Sequence, residues 1–313
     1  MNQRTIIHGD LFVPWADIIY AWRRQPVLDE MVLRQRLKRW EGDLVVIYSD
    51  GDYANRLNDA LKQVAANRVL LITHNSDACV RTEALREFDI DYRRRAPCVE
   101  HWFSQNIEVE GKEFSPLPIG LERPHLFPHE VKIRILEEKM GAPNTRKHLL
   151  YVNHSVANNP GEREKPYRQF GDKPYALVKR GHNGVEYRSY LDDLASSAYC
   201  VSPRGNGLEC HRTWEALYLG CVPIVKRSTS SERLYSGLPV MQVDDFAEVN
   251  EEMLRESLRL FPRAAFHHPA LYLEHYRREF ETCAARLGRR RALAGPKAGW
   301  FNGVLERFRA ALA

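Results

Sequence analysis

Two apolar runs, each shut off by polar residues and separated by a helix-periodic stretch, restrict this chain more than any other feature. "DLVVIYSDGD" closes on Ser49, Asp50, Gly51 and Asp52, and "RVLLITHNSD" on Thr73, His74, Asn75, Ser76 and Asp77. Apolar runs without alternation suit strands covered on both faces, as in a parallel sheet. Between them, "YANRLNDALKQVAAN" carries apolar residues at helical spacing, and "RTEALREFDI" predicts a further helix. Strand, helix, strand, helix implies a parallel α/β layer. "VEHWFSQNI" and "FSPLPIGLERP" close this series.

A second series begins near Lys147. "KHLLYVNHS", "YALVKRGHNG", "AYCVSPRGNG", "CVPIVKR" and "LPVMQVDDF" read as strands. "VANNPGEREKPYRQF" is a loop running into a helix, "EYRSYLDDLASS" and "TWEALYLG" are helices, and Gly220 is placed to stop the last of them. A length of 313 residues fits two domains. The expected fold is therefore α/β, with two Rossmann-like domains facing a central cleft: residues 1–140, residues 141–295, and a closing amphipathic helix over residues 296–313. In open α/β sheets ligands lie beyond the carboxyl ends of the strands. The polar exits Ser49–Asp52, Thr73–Asp77, Asn153–Ser155, Lys179–His182 and Pro203–Gly207 all mark that edge.

Composition narrows the class. No apolar run reaches the roughly 18 residues of a membrane span. The first residues lack the basic flank and apolar core of a signal peptide. Six cysteines show no metal-ligand spacing and no C-x-x-C pair, so a reduced, cytoplasmic protein without a resident metal is expected. The formal net charge of +5 fits an anionic ligand or surface. No nucleic-acid motif is present.

Chemistry concentrates in "SPRGNGLECHRTWEALYLGCVPIV", Ser202–Val225. Gly205 and Gly207 allow a tight turn close to a ligand, and Asn206 lies between them. The helix that follows offers unpaired N–H groups at its start, suited to phosphate. Arg204, His211 and Arg212 add donors for phosphate oxygens, and Arg180 at another strand exit is a further candidate. Glu215, three residues after Arg212, can accept hydrogen bonds from the hydroxyls of a ribose. A plainer reading makes Arg212 and Glu215 a helix-surface ion pair, and Lys179 and Arg180 solvated loop charges.

The same stretch resembles the donor-site signature of exostosin-like glycosyltransferases and related bacterial polysaccharide enzymes of the GT-B class. Its Glu-Ala-x-x-x-Gly-Cys-x-Pro core also resembles a segment of α1,3-fucosyltransferases. "WFSQN", "PLPIGLE" and "LLYVNHSVANNPGEREKPY" agree with the bacterial exostosin-like proteins. The resemblance spans roughly Trp102 to Lys226, and nothing before Trp102 takes part in it. It implies a GT-B fold, a nucleotide-sugar co-substrate held mainly by the C-terminal domain, Glu215 at the donor ribose, and no need for a divalent metal. It also implies a glycan or lipid-linked glycan acceptor in capsule or O-antigen assembly.

A base for the acceptor hydroxyl is expected at a strand exit of the first domain. Asp52 and His74 are the preferred candidates, followed by Asp50, Asp77 and Glu122; His8 and Asp10 of "IHGDLF" can join them. Asp52 equally suits the N-cap of the next helix. "SDGD" also matches the D-x-D signature of metal-dependent glycosyltransferases. A base-free phosphosugar donor, or a non-catalytic nucleotide- or glycan-binding protein of the same fold, stays open as well. In the tail, Trp300, Val304, Leu305, Phe308 and Leu312 share one helical face. Arg289, Arg290, Arg291 and Lys297 beside it suit either packing on the domains or a peripheral contact with anionic membrane. Trp15, Trp22, Arg23 and Arg24 face the same two alternatives.

Overall fold

The computed structural model describes residues 4–22, 25–26, 29–64, 67–83, 85–122, 129–140, 145–180 and 186–289. The chain divides into two compact units, each built from two chain segments. One comprises Gly9–Leu117 and the chain from Arg277 onward; the other comprises the chain up to His8 and Pro118–Tyr276.

The Gly9–Leu117 unit runs β1 (Ile18–Trp22), β2 (Gln25–Pro26), α1 (Glu30–Lys38), β3 (Leu44–Asp50), α2 (Ala54–Val64), β4 (Arg68–His74), β5 (Val80–Arg81), β6 (Ile90–Asp91), β7 (Val99–Ser104) and β8 (Phe114–Pro116). Its main sheet has the order β2-β1-β3-β4-β7-β8, parallel except for the β1–β2 pair. All seven residues of β3 are buried, as expected for a strand covered on both faces. Leu57, Ala60 and Leu61 of α2 repeat at helical spacing and join Val45, Ile47, Val69, Leu71 and Trp102 in the core. Trp15 packs on Phe12 and Phe280, and Trp22 is buried. Both tryptophans are therefore core residues, which removes them as membrane anchors.

Among the described residues of "RTEALREFDI", 81–83 and 85–90, the expected helix does not form. Asp89 is fully buried and gathers the backbone N–H groups of Cys79, Leu85 and Arg86 together with the Arg86 guanidinium. Those local bonds offer the backbone an alternative to helical pairing. The segment becomes the turn that joins β5 to β6.

The second unit contains α3 (His129–Met140), β9 (His148–Val152), α4 (Pro160–Phe170), β10 (Ala176–Val178), α5 (Tyr187–Ala195), β11 (Ser197–Val201), α6 (His211–Tyr218), β12 (Val222–Lys226), α7 (Thr229–Leu234), β13 (Met241–Val243) and α8 (Glu251–Ser257). Its sheet, β10-β9-β11-β12-β13, is parallel throughout. Gly220 ends α6 as expected, at φ +75°. The N–H groups of Gly220 and Cys221 cap the carbonyls of Leu217 and Ala216, the pairing of a Schellman stop. The division at Pro118 corrects the boundary expected near residue 140. The reason is local: Leu121 N–H donates to the Ile7 carbonyl, and Ile7 N–H to the Tyr218 hydroxyl. These bonds bind both the N-terminal residues and the "PLPIGLE" segment to the second unit. Helix α9 (Leu273–Arg286) carries the chain back into the first. Residues 290–313, and with them the expected closing helix, lie outside the described residues, as do Arg23 and Arg24. Among the described residues no helix is long and apolar enough to cross a membrane.

Candidate functional site

In the second unit, the exits of β9 and β11 and the start of α6 meet around Arg212. This side chain is 7% exposed. Its Nε donates to the Asn153 carbonyl at 2.9 Å, and its Nη1 to Cys210 Sγ at 3.7 Å. Among the described residues no carboxylate forms an ion pair with it. The surface ion pair with Glu215 is thereby corrected, since both residues are buried and Glu215 has other partners. Its Oε1 accepts from the Tyr187 hydroxyl at 3.0 Å and its Oε2 from the Tyr190 hydroxyl at 2.8 Å. Asn153 leaves its own Oδ1 buried without a hydrogen-bond partner. A guanidinium keeps its charge when buried, so the start of α6 carries a cation beside an open acceptor.

The glycine loop is shaped from behind. Arg163 of α4 is buried and donates from Nε to the Arg204 carbonyl at 2.9 Å and from Nη1 to the Ser155 carbonyl at 2.8 Å. A Cβ on Gly205 would lie 3.0 Å from Arg163 Nη2. Gly205 thus makes room for a protein guanidinium. Asn159 Nδ2 donates to the Gly205 carbonyl. The side chains of Arg204 and Asn206 are exposed, and Gly207 is buried. Arg180 is 63% exposed, pairs with Glu164 at 2.7 Å and lies over the Tyr167 ring. Lys179 pairs with Asp193 at 2.5 Å.

His211 and Glu209 hold the "PLPIGLE" segment against this loop. His211 Nδ1 donates to the Gly120 carbonyl at 2.8 Å, and its Nε2 lies 3.5 Å from Glu122. Glu122, expected as a base in the first domain, therefore belongs to the Arg212 unit and to His211. Glu209 accepts from Ile119 N–H and from Trp214 Nε1. Burial, opposed by these two donors, pushes its carboxyl from 4.5 up to about 8. The unfolded chain gives up this proton above about 4.5, and the folded chain keeps it to about 8. Between those values the unfolded state binds fewer protons, so stability falls as pH rises through the window and levels off above it. Thermal midpoints of wild type should decline from pH 5 to 8, with a shallower decline in Glu209→Gln. Equal slopes would show that Glu209 is already ionised in the fold.

In the Gly9–Leu117 unit the exits of β3 and β4 lie in register, Asp50 beside His74. Asp10 and Asp50 are both 0% exposed. Trp22 Nε1 and Asn75 Nδ2 converge on Asp10 Oδ1, each at 3.1 Å. Asn75 Nδ2 also donates to the Tyr48 hydroxyl, which in turn donates to Asp50. Asn75 holds φ +57°, uncommon for a residue with a side chain. His74 Nδ1 lies 2.8 Å from Asn75 N and 3.3 Å from Asn75 Oδ1. His74 and the carboxylates of Asp10 and Asp50 are the proton-accepting groups gathered at these exits. Asp52 is exposed, takes the Ser76 hydroxyl at 2.5 Å and sits in a short turn leading into α2. Asp77 is exposed, with its carbonyl bonded by Arg86. Asp50 and Asp52 of "SDGD" thus stand in different surroundings. Among the described residues no group of three or more His, Cys, Asp or Glu side chains could hold a metal ion.

No protein-family profile matches the sequence, and no curated protein matches it. Among solved structures, the chain is similar to one in a GtfA/B complex, at 11% identity and TM-score 0.38, over 90% of this chain and 61% of that one. It is also similar to the pneumococcal O-GlcNAc transferase GtfA in complex with UDP and GlcNAc, at 8% identity and TM-score 0.37, over 85% and 62%. A third is WaaG, a glycosyltransferase involved in lipopolysaccharide biosynthesis, at 13% identity and TM-score 0.29, over 81% and 91%. The chain spans about three-fifths of the length of the first two.

Proposed function

We propose that this protein is a glycosyltransferase that moves a sugar from a nucleoside-diphosphate donor to a hydroxyl of a growing glycan. The observation that carries the reading is Arg212, a buried guanidinium at the start of α6 that forms no ion pair among the described residues, with Glu215 acting on its charge only from a distance. A buried cation without a contacting counter-charge is costly unless an anion completes the site. A diphosphate does so, and the α6 N–H groups add to its binding. The motif resemblance supports a role for Glu215 at the donor ribose. In the transfer, the bond from the anomeric carbon to the diphosphate oxygen breaks and one to the acceptor oxygen forms. The negative charge gathering on the diphosphate is met by Arg212 and the helix start. The acceptor proton passes to a carboxylate, which we assign to Asp10. The acceptor is a glycan or lipid-linked glycan of capsule or O-antigen type, and the protein works in the cytoplasm, at the membrane surface where the acceptor is lipid-linked.

Thermal-shift titration with nucleoside diphosphates, nucleotide sugars and phosphoribosyl pyrophosphate, with and without EDTA, tests this. A ligand at a hundred times its Kd stabilises by about 2.7 kcal/mol. The expected result is a base-selective shift that survives EDTA and is lost in Glu215→Ala. A shift that requires metal favours the D-x-D reading, and one given only by phosphoribosyl pyrophosphate favours a base-free phosphosugar.

A further inference from the structure

Glu215 is expected to receive two hydroxyls of a ribose, yet two hydroxyls of the protein already occupy it. The two are not equivalent. Tyr190 is 2% exposed, and its hydroxyl holds Oε2 from within the α5–α6 packing. Tyr187 lies one turn earlier, at the first position of α5, is only half-buried, and holds Oε1. Its ring stacks on Tyr190 with centroids 6.1 Å apart, and Lys132 Nζ lies 5.0 Å over it. The ring therefore has packing partners of its own, apart from the hydroxyl.

We infer that the Tyr187 hydroxyl is a displaceable stand-in for a ligand hydroxyl, so that Glu215 offers a donor ribose one oxygen, Oε1, and keeps Oε2 for Tyr190. This rests on the nucleotide-donor reading of the site. Ribose binding exchanges one hydroxyl for another on the same oxygen. The carboxylate thus stays satisfied without ligand, and the net gain from the ribose contact is small. Removing the competing hydroxyl leaves Oε1 for the ligand alone. That makes Tyr187 a residue that sets how strongly this site distinguishes ribose from deoxyribose.

The test measures affinities of the full-length protein for the nucleoside diphosphate it binds best and for the matching 2′,3′-dideoxynucleoside diphosphate, with wild type and Tyr187→Phe. The phenylalanine keeps the ring contacts. The ratio of the two affinities should rise about five- to tenfold in the variant, the size expected for one hydrogen bond no longer contested. Tyr187→Leu, which removes the ring as well, should raise the ratio alike if the hydroxyl is what competes. A residue with only a packing role would change both affinities by the same factor. An unchanged or reduced ratio with nucleotide binding intact overturns the inference alone. If no nucleoside diphosphate binds any of the three proteins, the nucleotide-donor reading falls and the inference with it.

Discussion

Arg212→Met should weaken donor binding strongly while leaving the ligand-free protein as stable as wild type, or more stable. The two effects have opposite signs for one reason. In the free protein the guanidinium is buried against a carbonyl and a thiol, with no carboxylate paired to it among the described residues. Replacing buried charge by an apolar side chain of similar volume is often neutral or stabilising. With a diphosphate bound, the same charge makes a desolvated contact whose loss costs roughly 2–5 kcal/mol. That is a loss of about thirtyfold to several thousandfold in affinity. Urea denaturation of the ligand-free proteins and calorimetric titration with the best nucleoside diphosphate separate the two quantities. A variant that is strongly destabilised yet binds normally would mean that Arg212 is a structural cation.

Asp10→Asn should lower sugar transfer by about a hundredfold or more, the usual scale for removing a general base, with donor affinity within about twofold of wild type. The variant suits the site. Trp22 Nε1 and Asn75 Nδ2 both donate to Asp10 Oδ1, and the amide oxygen of asparagine can accept from both. The charge and the proton-accepting capacity are lost while those two bonds persist. Donor affinity is the internal control, because Arg212 and Glu215 belong to the other unit. Transfer within a few-fold of wild type would remove Asp10 as the base and leave Asp50 as the next carboxylate to test. Donor affinity falling in parallel with transfer would instead mark a general disturbance of the fold.

The strands are readable in the sequence because they are buried on both faces, which makes each a continuous apolar run that ends abruptly at polar residues. Their polar exits are readable for the same reason, and they mark Asp50, His74, Asn153 and the Gly205 loop in the sequence. The turn at Asp89 is not readable, because "RTEALREFDI" has helical composition and one buried carboxylate outweighs it. Arg163 and Glu209 left no signal, since each acts on backbone groups distant in sequence, at Arg204 and Ile119. A motif records side chains at fixed spacing, and these two contribute through contacts that spacing does not encode. The two tyrosines on Glu215 were hidden likewise, 28 and 25 residues away on another helix.

The interleaving of the two units has a consequence for synthesis. Phe280, on α9, packs on Trp15 and Phe103 of the Gly9–Leu117 unit, and Arg289 pairs with Asp17 there at 2.6 Å. Neither unit is contiguous, so the ribosome must deliver nearly all the described chain before the Gly9–Leu117 unit can close its core. The unit that begins with the chain up to His8 waits for Pro118–Tyr276, and its last segment emerges earlier. Folding vectorially, from the N-terminus onward, is therefore unavailable to this chain. Cutting it at residue 117 yields two fragments that each lack a piece of their own core.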